Sequence, residues 1–250
     1  MAETRSAPNG AILVTGAARG LGAATALALA DAGYEPILLG RSLASLEATK
    51  DAVESGLGFT PRIIAADVSN WAELDRAVAL ALKDGEQLTG LVNNAGVIEP
   101  IDRVEDCDPA AWARCIQINL IGAFNALHVC LPRTRAGGAL LNLTSGAAGF
   151  ELVGWSAYAA SKAGLDRLSA TLAAERPDLR VLSVIPGMVD TDMQAEIRAS
   201  HVDNPVRNIK REQLQPVSVP AQAIASLFGS DASFDKRIVD TRELVPANAA

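Results

Sequence analysis

Tyr158 and Lys162 are the two side chains of this chain whose types and spacing could move a proton. Four residues apart, they project from the same face of a helix, so the ammonium group can favour the phenolate by its positive charge. A free phenol titrates near a pH of about 10, which is too high for efficient proton transfer at neutral pH. Because chance also places such pairs on helix surfaces, the elements around the pair must decide whether it is catalytic.

The composition bounds the kinds of protein that could hold this pair. The chain has 250 residues, of which 49% are hydrophobic and 20% charged, enough for a large core in a single domain over 1–250. The net charge of −7 opposes binding to nucleic acid, which needs clustered Lys and Arg. The polar opening residues and the lack of a run of about 18 apolar residues predict no signal sequence and no membrane span.

Few residues are available for other kinds of chemistry. The cysteines Cys107, Cys115 and Cys130 are odd in number and lack C-x-x-C spacing, so they predict reduced thiols in a cytoplasmic protein. The only histidines are His128 and His201, so a metal site or a Ser-His-Asp triad is poorly supported. We therefore expect no metal.

The first predicted strand runs directly into a glycine-rich turn. The apolar run from Ala11 to Thr15 is typical of a buried parallel strand, and Gly16, Gly20 and Gly22 follow it before an Ala- and Leu-rich helix that ends near Gly33. Glycines permit a tight turn and a close approach of backbone to a pyrophosphate, whose charge is met by the helix N-terminus. The stretch therefore predicts a dinucleotide site, although a glycine-rich turn can be only a turn.

The same alternation continues along the chain. Predicted strands cover 37–39, 62–66, 90–93, 139–143 and 180–185, and predicted helices cover 43–53, 70–83, 109–131 and the stretch that holds Tyr158 and ends before Pro177. This order predicts an α/β fold, a doubly wound and mainly parallel sheet with helices on both faces. Ligands of such sheets bind at the carboxyl ends of the strands. The candidate residues at those ends are the glycine turn, Arg41, Asp67, Asn93, Asn94, Ser145, Pro186 and Gly187.

Several motifs stand together in order and spacing. They are Thr15-Gly-Ala-Ala-Arg-Gly-Leu-Gly22, Asn93-Asn-Ala-Gly96, Asn119, Ser145, Tyr158-x-x-x-Lys162 and Pro186-Gly187. As a set, over about 10–195, they resemble the short-chain dehydrogenase/reductase family. The resemblance implies a Rossmann-type domain whose strands, about seven of them, lie in the order 3-2-1-4-5-6-7.

The resemblance also implies roles for four residues. Tyr158 would protonate a carbonyl oxygen as hydride arrives from a nicotinamide, and Ser145 would hold that oxygen by a hydrogen bond. Lys162 would bind the nicotinamide ribose and tune Tyr158, and Asn119 would support a water that leads protons to Lys162. Placing a proton donor and a hydrogen-bond donor where negative charge develops is sound chemistry for a hydride acceptor. Ser145 could instead cap a turn, and Asn119 could be a structural hydrogen-bonding residue.

A larger set of residues is implied to hold the cofactor. These residues are Gly16, Ala18, Arg19, Gly20, Leu21, Gly22, Arg41, Asp67, Val68, Asn93, Ala95, Tyr158, Lys162, Pro186, Gly187, Val189 and Thr191. Three of them have a structural alternative: Asn93 could bond to backbone between strands, Asp67 could cap the next helix, and Thr191 could cap a helix.

The cofactor is predicted to be NADP(H). Enzymes of this fold that use NAD place Asp or Glu at the end of the second strand, whereas this chain has Arg41 there. Arg19 in the glycine turn could approach the same 2′-phosphate, and the planar donors of arginine suit a phosphate. The alternative is that both arginines are merely solvated.

The substrate residues are the least defined by the sequence. Gly154-Trp155, the stretch after Gly187 and the ending Ile238-Val-Asp240 resemble the sepiapterin reductases and bacterial benzil reductases, which makes Asp240 a candidate substrate anchor. Trp155 and Phe150 could form a flat apolar wall for an aromatic or dicarbonyl substrate, or could be ordinary packing residues. The segment 194–216 is predicted to be a mobile substrate lid with a helix near its start.

These observations predict an NADPH-dependent carbonyl reductase that acts on small dicarbonyl or aromatic ketones. Two alternatives stay open: a broad-specificity alcohol or steroid-type dehydrogenase of the same family, and a non-catalytic NADP(H)-binding sensor or scaffold. The resemblance further implies a homodimer, with a tetramer second, built by packing the Asn119 and Tyr158 helices against a second copy.

Overall fold

We describe the fold from a computed structural model that places residues 9–57, 59–229 and 237–244. The strands are β1 (Ala11–Thr15), β2 (Glu35–Gly40), β3 (Ile63–Ala65), β4 (Leu88–Asn93), β5 (Thr134–Leu143), β6 (Arg180–Ile185) and β7 (Ile238–Asp240). The α-helices are α1 (Gly20–Asp31), α2 (Glu47–Leu57), α3 (Trp71–Ala81), α4 (Pro109–Ile116), α5 (Gly122–Cys130), α6 (Ser156–Glu175), α7 (Asp192–Ala199) and α8 (Ser218–Ser226).

The strands form one sheet in the order β3-β2-β1-β4-β5-β6-β7. Every neighbouring pair is parallel. The predicted doubly wound sheet and its strand order are therefore confirmed. Because all strands point the same way, their carboxyl ends meet at one edge, where the loops after β1 to β6 can contribute to a common site.

Side chains of β1 show how the sheet is held between two helical layers. Ile12 and Val14 belong to the core that also contains Leu29 of α1, whereas Leu13 packs into the opposite core with Leu74 of α3. Successive strand residues point to opposite faces, so a continuous apolar run is needed when both faces are covered. Burying one such aliphatic side chain stabilises the fold by about 1.5–3 kcal/mol.

The predicted helix over 109–131 is present but is interrupted by a π-helical turn over Gln117–Ile121. It begins where the Asp108 carboxylate accepts hydrogen bonds from the first-turn backbone and Pro109 occupies the first helical position. The continuous helical stretch Pro109–Arg133 is long and apolar enough to cross a membrane, but half of its most apolar part is buried inside the fold. That burial is typical of the core helix of an α/β domain.

Three strands are longer than the sequence predicts, whereas β3, Ile63–Ala65, is shorter than the predicted 62–66. β5 begins at Thr134 instead of 139, and β4 begins at Leu88 instead of 90. The early part of β5, residues 135–137, is exposed. A pattern of apolar residues marks only the buried part of a strand, so exposed ends that still pair with a neighbour escape it.

The segment 194–216 contains a helix near its start, as predicted. α7 covers its first part, and short 3₁₀ turns follow at Pro205–Asn208 and Arg211–Gln213. The Asn204 amide group donates to the Val153 carbonyl oxygen at 3.3 Å, and its oxygen accepts from the backbone of Val206 and Arg207. The segment is thus fastened to the loop that precedes α6.

Candidate active site

A cleft of about 1110 Å³ opens at the carboxyl edge of the sheet. The predicted residues that line it are Gly16, Ala18, Arg19, Gly20, Leu21, Gly22, Arg41, Asp67, Val68, Ala95, Ser145, Phe150, Trp155, Tyr158, Lys162, Pro186, Gly187, Val189 and Thr191. Residues from many separate stretches thus meet in one place, because parallel strands deliver their following loops to the same edge.

Tyr158, Ser145 and Lys162 form one wall of this cleft. Ser145 follows β5, while Tyr158 and Lys162 lie one turn apart at the start of α6. The Lys162 ammonium is 5.6 Å from the centre of the Tyr158 ring and donates to the Leu143 carbonyl oxygen at 2.8 Å. The spacing of four residues therefore places the cation beside the phenol, as expected from the helix, and the carbonyl at the end of β5 holds it there.

The protonation of this pair differs from the sequence expectation. Burial raises the pKa of the Tyr158 phenol to about 12, and hydrogen bonding to Ser145 only partly opposes the shift. Burial likewise lowers the pKa of Lys162 to about 8, since the interior disfavours a charged ammonium. The lysine was expected to favour the phenolate, but desolvation is the larger effect here. At neutral pH the phenol therefore carries its proton, the form in which it can act as an acid.

Asn119 lies behind this wall and not in the cleft. It is 1% exposed and sits in the π-helical turn. Its oxygen accepts from the Val97 N–H at 2.8 Å, and its amide group donates to the Val97 carbonyl at 2.8 Å and to the Ser161 hydroxyl at 3.1 Å. Ser161 in turn donates to the Tyr158 carbonyl oxygen at 2.7 Å. The side chain of Asn119 thus couples the β4 loop to the catalytic helix.

The glycine turn fits the pyrophosphate of a dinucleotide. A Cβ on Gly22 would lie 2.2 Å from the Gly16 carbonyl oxygen and 2.5 Å from the Asn94 amide nitrogen, so only glycine allows this close packing. Gly16 has a φ of 65°, a conformation that side chains disfavour. α1 begins at Gly20 without a capping side chain, which leaves first-turn N–H groups for an anion. This part of the cleft therefore accommodates the cofactor that the motif predicts.

Arg41 and Asp67 lie at the end of the cleft that the loops after β2 and β3 form. Arg41 is exposed at the end of β2, next to Ser42 and Ser45, which also line the cleft. Although burial opposes it, hydrogen bonds from Ser69 and the charge of Arg41 lower the pKa of the Asp67 carboxyl. Asp67 does not cap α3, because Asn70 does.

Arg19 and Thr191 meet the cleft from the side of α7. The Arg19 guanidinium is paired with the Asp192 carboxylate, and both side chains are about two-thirds exposed, at 68% and 67%. Thr191 is at the N-cap of α7, but its side chain makes no capping hydrogen bond. Its hydroxyl donates to the Val189 carbonyl at 3.5 Å. The helix therefore does not need the threonine hydroxyl, which stays available to a ligand.

Besides Asn119, two predicted site residues do not reach the cleft. Asn93 is 5% exposed and donates to the Ala123 carbonyl and to the Asn142 side chain, so it joins β4 to β5 and α5. Asp240, at the end of β7, accepts from the Arg242 backbone N–H and from its guanidinium. These hydrogen bonds hold the pKa of the Asp240 carboxyl below its usual range. The predicted substrate anchor is therefore occupied by a residue of the chain itself.

Apolar side chains line the part of the cleft beside Tyr158. The Trp155 ring packs edge-on against Tyr158 with centroids 5.6 Å apart, and Ile197 of α7 belongs to the same buried cluster. Trp155 is 5% exposed, so it is largely a packing residue. Phe150 is 70% exposed at the rim, where a ligand could cover it.

Several cleft residues were missed by sequence reasoning. They are Ser42, Ser45, Arg114, Met193, Gln194, Glu196, Ile197, Val206 and Arg242. Asn94, a candidate from the end of β4, does line the cleft, and its amide donates to the carbonyl oxygens of Thr15 and Gly16. Arg242 had a weak signal, a charged residue two positions after the last strand. Most of the α7 residues fall in the predicted lid segment 194–216, but none of them was predicted individually.

Comparison with known proteins identifies the family of this chain. The family model described as "short chain dehydrogenase" matches residues 10–201. An uncharacterized oxidoreductase of Saccharomyces cerevisiae is 31% identical over 226 residues, which are 86% of this chain and 88% of the yeast protein. Its crystal structure has a TM-score of 0.84 at 29% identity and covers 93% of this chain, with 96% of the yeast chain matched.

Two further relatives bear on chemistry. A benzil reductase of Bacillus subtilis that forms (S)-benzoin is 33% identical over 199 residues, covering 75% of this chain and 78% of that protein. The structure of a short chain dehydrogenase from Shigella flexneri in complex with NADP has a TM-score of 0.83 at 25% identity, covering 94% of this chain and 98% of that one.

Proposed function

This chain belongs to the short-chain dehydrogenase family, and from that premise we propose that it is an NADPH-dependent carbonyl reductase of small dicarbonyl or aromatic ketones. One observation carries the proposal: a buried, protonated phenol, a serine hydroxyl and a lysine ammonium converge on one wall of a cleft that also contains a dinucleotide-type glycine turn. That combination is what hydride transfer to a carbonyl requires.

The reacting carbonyl oxygen is held and protonated by residues of this chain. A bound reduced nicotinamide supplies the hydride. Ser145 donates a hydrogen bond to the oxygen, where negative charge develops as the carbonyl is reduced, and Tyr158 delivers its proton there. The phenolate that results is stabilised by the Lys162 ammonium, 5.6 Å from the ring centre. We class Asn119 and Ser161 as positioning residues, because their hydrogen bonds hold the backbone around Tyr158.

Residues along the cleft would bind the cofactor. The first-turn N–H groups of α1 would meet the pyrophosphate, Asp67 and Val68 the adenine, and Lys162 the nicotinamide ribose. Thr191, whose hydroxyl the helix does not use, would bond the carboxamide. Asn93 supports this site from the interior.

The preference for NADPH rests mainly on Arg41. It is exposed at the end of β2, where a planar guanidinium suits a 2′-phosphate and an acidic residue that would hold a ribose hydroxyl is missing. Arg19 contributes less because Asp192 already pairs with it. The NADP complex of the Shigella relative is consistent with this preference.

The substrate proposal rests on the apolar pocket and on one relative. Trp155, Phe150 and Ile197 line a space beside Tyr158 that suits an aromatic or dicarbonyl compound. The relative from Bacillus subtilis reduces benzil. We further propose that 194–216 acts as a lid, because α7 and Val206 cover this pocket.

The experiment that tests the function compares initial rates of NADPH and NADH oxidation with benzil, other vicinal diketones and sepiapterin. Tyr158→Phe removes the acid and should lower the rate by about 10²–10⁴. The matched control is Tyr34→Phe, since Tyr34 is buried and donates to the Phe228 carbonyl oxygen at 2.8 Å, away from the cleft. Equal rates for wild type and Tyr158→Phe would contradict the role of Tyr158 as the acid. NADPH binding without turnover of any ketone would contradict a reductase and favour a sensor or scaffold.

We propose a homodimer as the assembled form, with a tetramer as the alternative. Phe124 of α5 is 49% exposed and stacks on His128 with ring centroids 5.9 Å apart, and Trp71 is 56% exposed beside them. Exposed aromatic residues grouped on a helical face are common at interfaces between subunits. Light scattering of the purified protein tests this, and a mass of one chain at all concentrations would contradict it.

We also propose a cytoplasmic location. Cys107, Cys115 and Cys130 are all free thiols, and the latter two are buried. A reducing compartment keeps such thiols unpaired. Localising a fluorescently tagged chain would test this proposal.

A further inference from the structure

Arg242 lies between β7, the last strand, and the cleft. It follows β7 by two residues and lines the cleft. Its aliphatic stem is close to Gly187, since a Cβ on Gly187 would lie 3.5 Å from Arg242 Cδ. Because Gly187 follows β6 directly after Pro186, the guanidinium belongs to the end of the cleft that the β6 and β7 loops share, away from Arg41 after β2.

The neighbouring aspartate orients this guanidinium. Arg242 Nε donates to Asp240 Oδ1 at 2.9 Å, and Nη2 donates to the other carboxylate oxygen. Asp240 also accepts from the Arg242 backbone N–H at 3.0 Å. A carboxylate on the Nε edge leaves the edge formed by Nη1 and Nη2, which is the second edge that can bind a carboxylate through two hydrogen bonds. The arginine side chain remains 65% exposed, so a ligand can reach that edge.

The same contacts change what this end of the cleft offers to a substrate. An unpaired aspartate at position 240 would attract a substrate with several N–H donors, such as a pterin. Here its oxygens are used by Arg242, so the group presented to the cleft is a donor. Of the acidic side chains that line the cleft, Asp192 is paired with Arg19, Asp67 lies at the end proposed for adenosine, and Glu196 belongs to α7.

We infer that Arg242 is a specificity residue that selects ketones bearing a carboxylate or another planar anion. The inference rests on the proposed reductase function and narrows its substrate class from small aromatic or dicarbonyl ketones to anionic ones. Arg242 makes no contact with the reacting carbonyl in this assignment. It binds the far end of the substrate and should therefore act on KM and not on kcat.

The test compares ketones that differ only in charge. Benzoylformate and 4-acetylbenzoate each have a neutral methyl ester with the same ring and the same ketone, and the two acids place the carboxylate at different distances from the reacting carbon. Arg242→Gln should raise KM for whichever acid fits by about tenfold, the low end for a hydrogen bond to a charged group because the site is exposed. KM for the esters and kcat for both should stay unchanged.

Arg176→Gln is the matched control. Arg176 is also held by an aspartate two residues away, with Nε 2.8 Å from Asp178 Oδ1, but it lies at the end of α6 and does not line the cleft. The Arg176→Gln substitution should leave KM unchanged for both acids and both esters. Equal changes of KM for acid and ester in Arg242→Gln, or no change for either acid, would overturn the inference while leaving the reductase function intact.

A binding measurement separates the two proposals if no ketone is reduced. The melting temperature of the protein with NADPH would be followed during titration with benzoate and with methyl benzoate. Stabilisation by benzoate alone that is lost in Arg242→Gln supports the anion site even when the reductase proposal fails. Equal stabilisation by both compounds, or none by benzoate, overturns the site.

Discussion

The cleft has two halves that are built in different ways. The half that we propose binds the cofactor, the cofactor half, is made from short loops that directly follow strands of the sheet. Much of its surface is backbone: Gly16, Gly20 and Gly22 after β1, and Ala95 and Gly96 after β4. The half that we propose binds the substrate, the substrate half, is made from side chains of α7, the 3₁₀ turn at Pro205–Asn208, the loop before α6 and the residues after β7. A phosphate-bearing cofactor is bound mainly by N–H groups and charges in fixed positions, whereas a small ketone is bound by side-chain shape.

This difference predicts which substitutions the cleft tolerates. At Gly16 and Gly22 in the cofactor half, an added methyl group would meet backbone atoms of the neighbouring loop or of the turn itself. In the substrate half the walls are side chains such as Ile197 and Val206, which can be exchanged without altering the sheet. Substitutions in the first half should affect cofactor binding for every substrate, and those in the second half should affect one substrate more than another.

Among substitutions that distinguish the two halves, Gly22→Ala should have the largest effect. The new methyl group would lie 2.2 Å from the Gly16 carbonyl oxygen, an overlap that should cost about 3 kcal/mol and weaken NADPH binding about a hundredfold. Titration of NADPH by fluorescence measures it. The control Gly56→Ala, in α2, meets no atom within 4 Å and should instead raise the free energy of unfolding by about 0.5–1 kcal/mol. Unchanged NADPH affinity in Gly22→Ala would show that the turn does not hold the cofactor.

Arg41→Ala should have the next largest effect. Loss of a hydrogen bond to a charged phosphate costs about 1.5–3 kcal/mol, so kcat/KM for NADPH should fall by about tenfold or more. The rate with NADH, which lacks the 2′-phosphate, is the internal control and should not change. Arg19→Ala should do less because Asp192 already pairs with Arg19. An equal loss of kcat/KM with NADPH and with NADH would contradict the assignment of Arg41 to the 2′-phosphate.

The pH dependence tests the catalytic wall that joins the two halves. Burial lowers the pKa of Lys162 to about 8, so its ammonium is present below that pH and is lost as the pH rises through it. Tyr158 keeps its proton throughout, because its pKa is raised to about 12. Reduction should therefore slow between about pH 7 and 9, at most about tenfold, as the ammonium that stabilises the phenolate disappears.

The measurement is kcat for benzil reduction across this range, with NADPH saturating. Cys115 and Asp166, the other groups that influence Lys162, both act to raise its pKa. Burial raises the pKa of Cys115 to about 11, so its thiol does not titrate in the same window. A rate that stays constant from pH 7 to 10 would contradict this role for Lys162.

Phe150→Ala should have the smallest effect, and that effect should be limited to substrate binding. The ring is 70% exposed at the rim of the substrate half. The substitution therefore removes one aromatic contact of about 0.5–1 kcal/mol, and KM for benzil should rise about threefold. NADPH affinity should stay the same, since the residue lies outside the cofactor half. A change in the dissociation constant of NADPH would show that the two halves are not independent.

Whether a site residue could be predicted from the sequence depends on what positions its side chain in the fold. Ser145, Tyr158 and Lys162 were found because each stands at a fixed step from a strand end or from another along a helix. Asn93 stands at a strand end too, yet it faces the interior and bonds to Asn142, because strand residues alternate between directions that a motif does not report. The raised pKa of Tyr158 was also not predictable, because burial of the phenol depends on how Trp155 and α7 pack around it, and the sequence motifs do not report that packing.

The amino-acid sequence was sufficient for the alternation of strands and helices, the parallel sheet and the cofactor-side motifs, since these depend on local periodicity, on glycine conformations and on where strands end. Folding in three dimensions was needed to bring α7 over Tyr158, to pair Arg19 with Asp192 and to place the Arg242–Asp240 pair beside Gly187. Contacts between residues far apart along the chain depend on how whole elements pack, and no local pattern records them. The position of Arg242 at the cleft is therefore visible only in the folded chain.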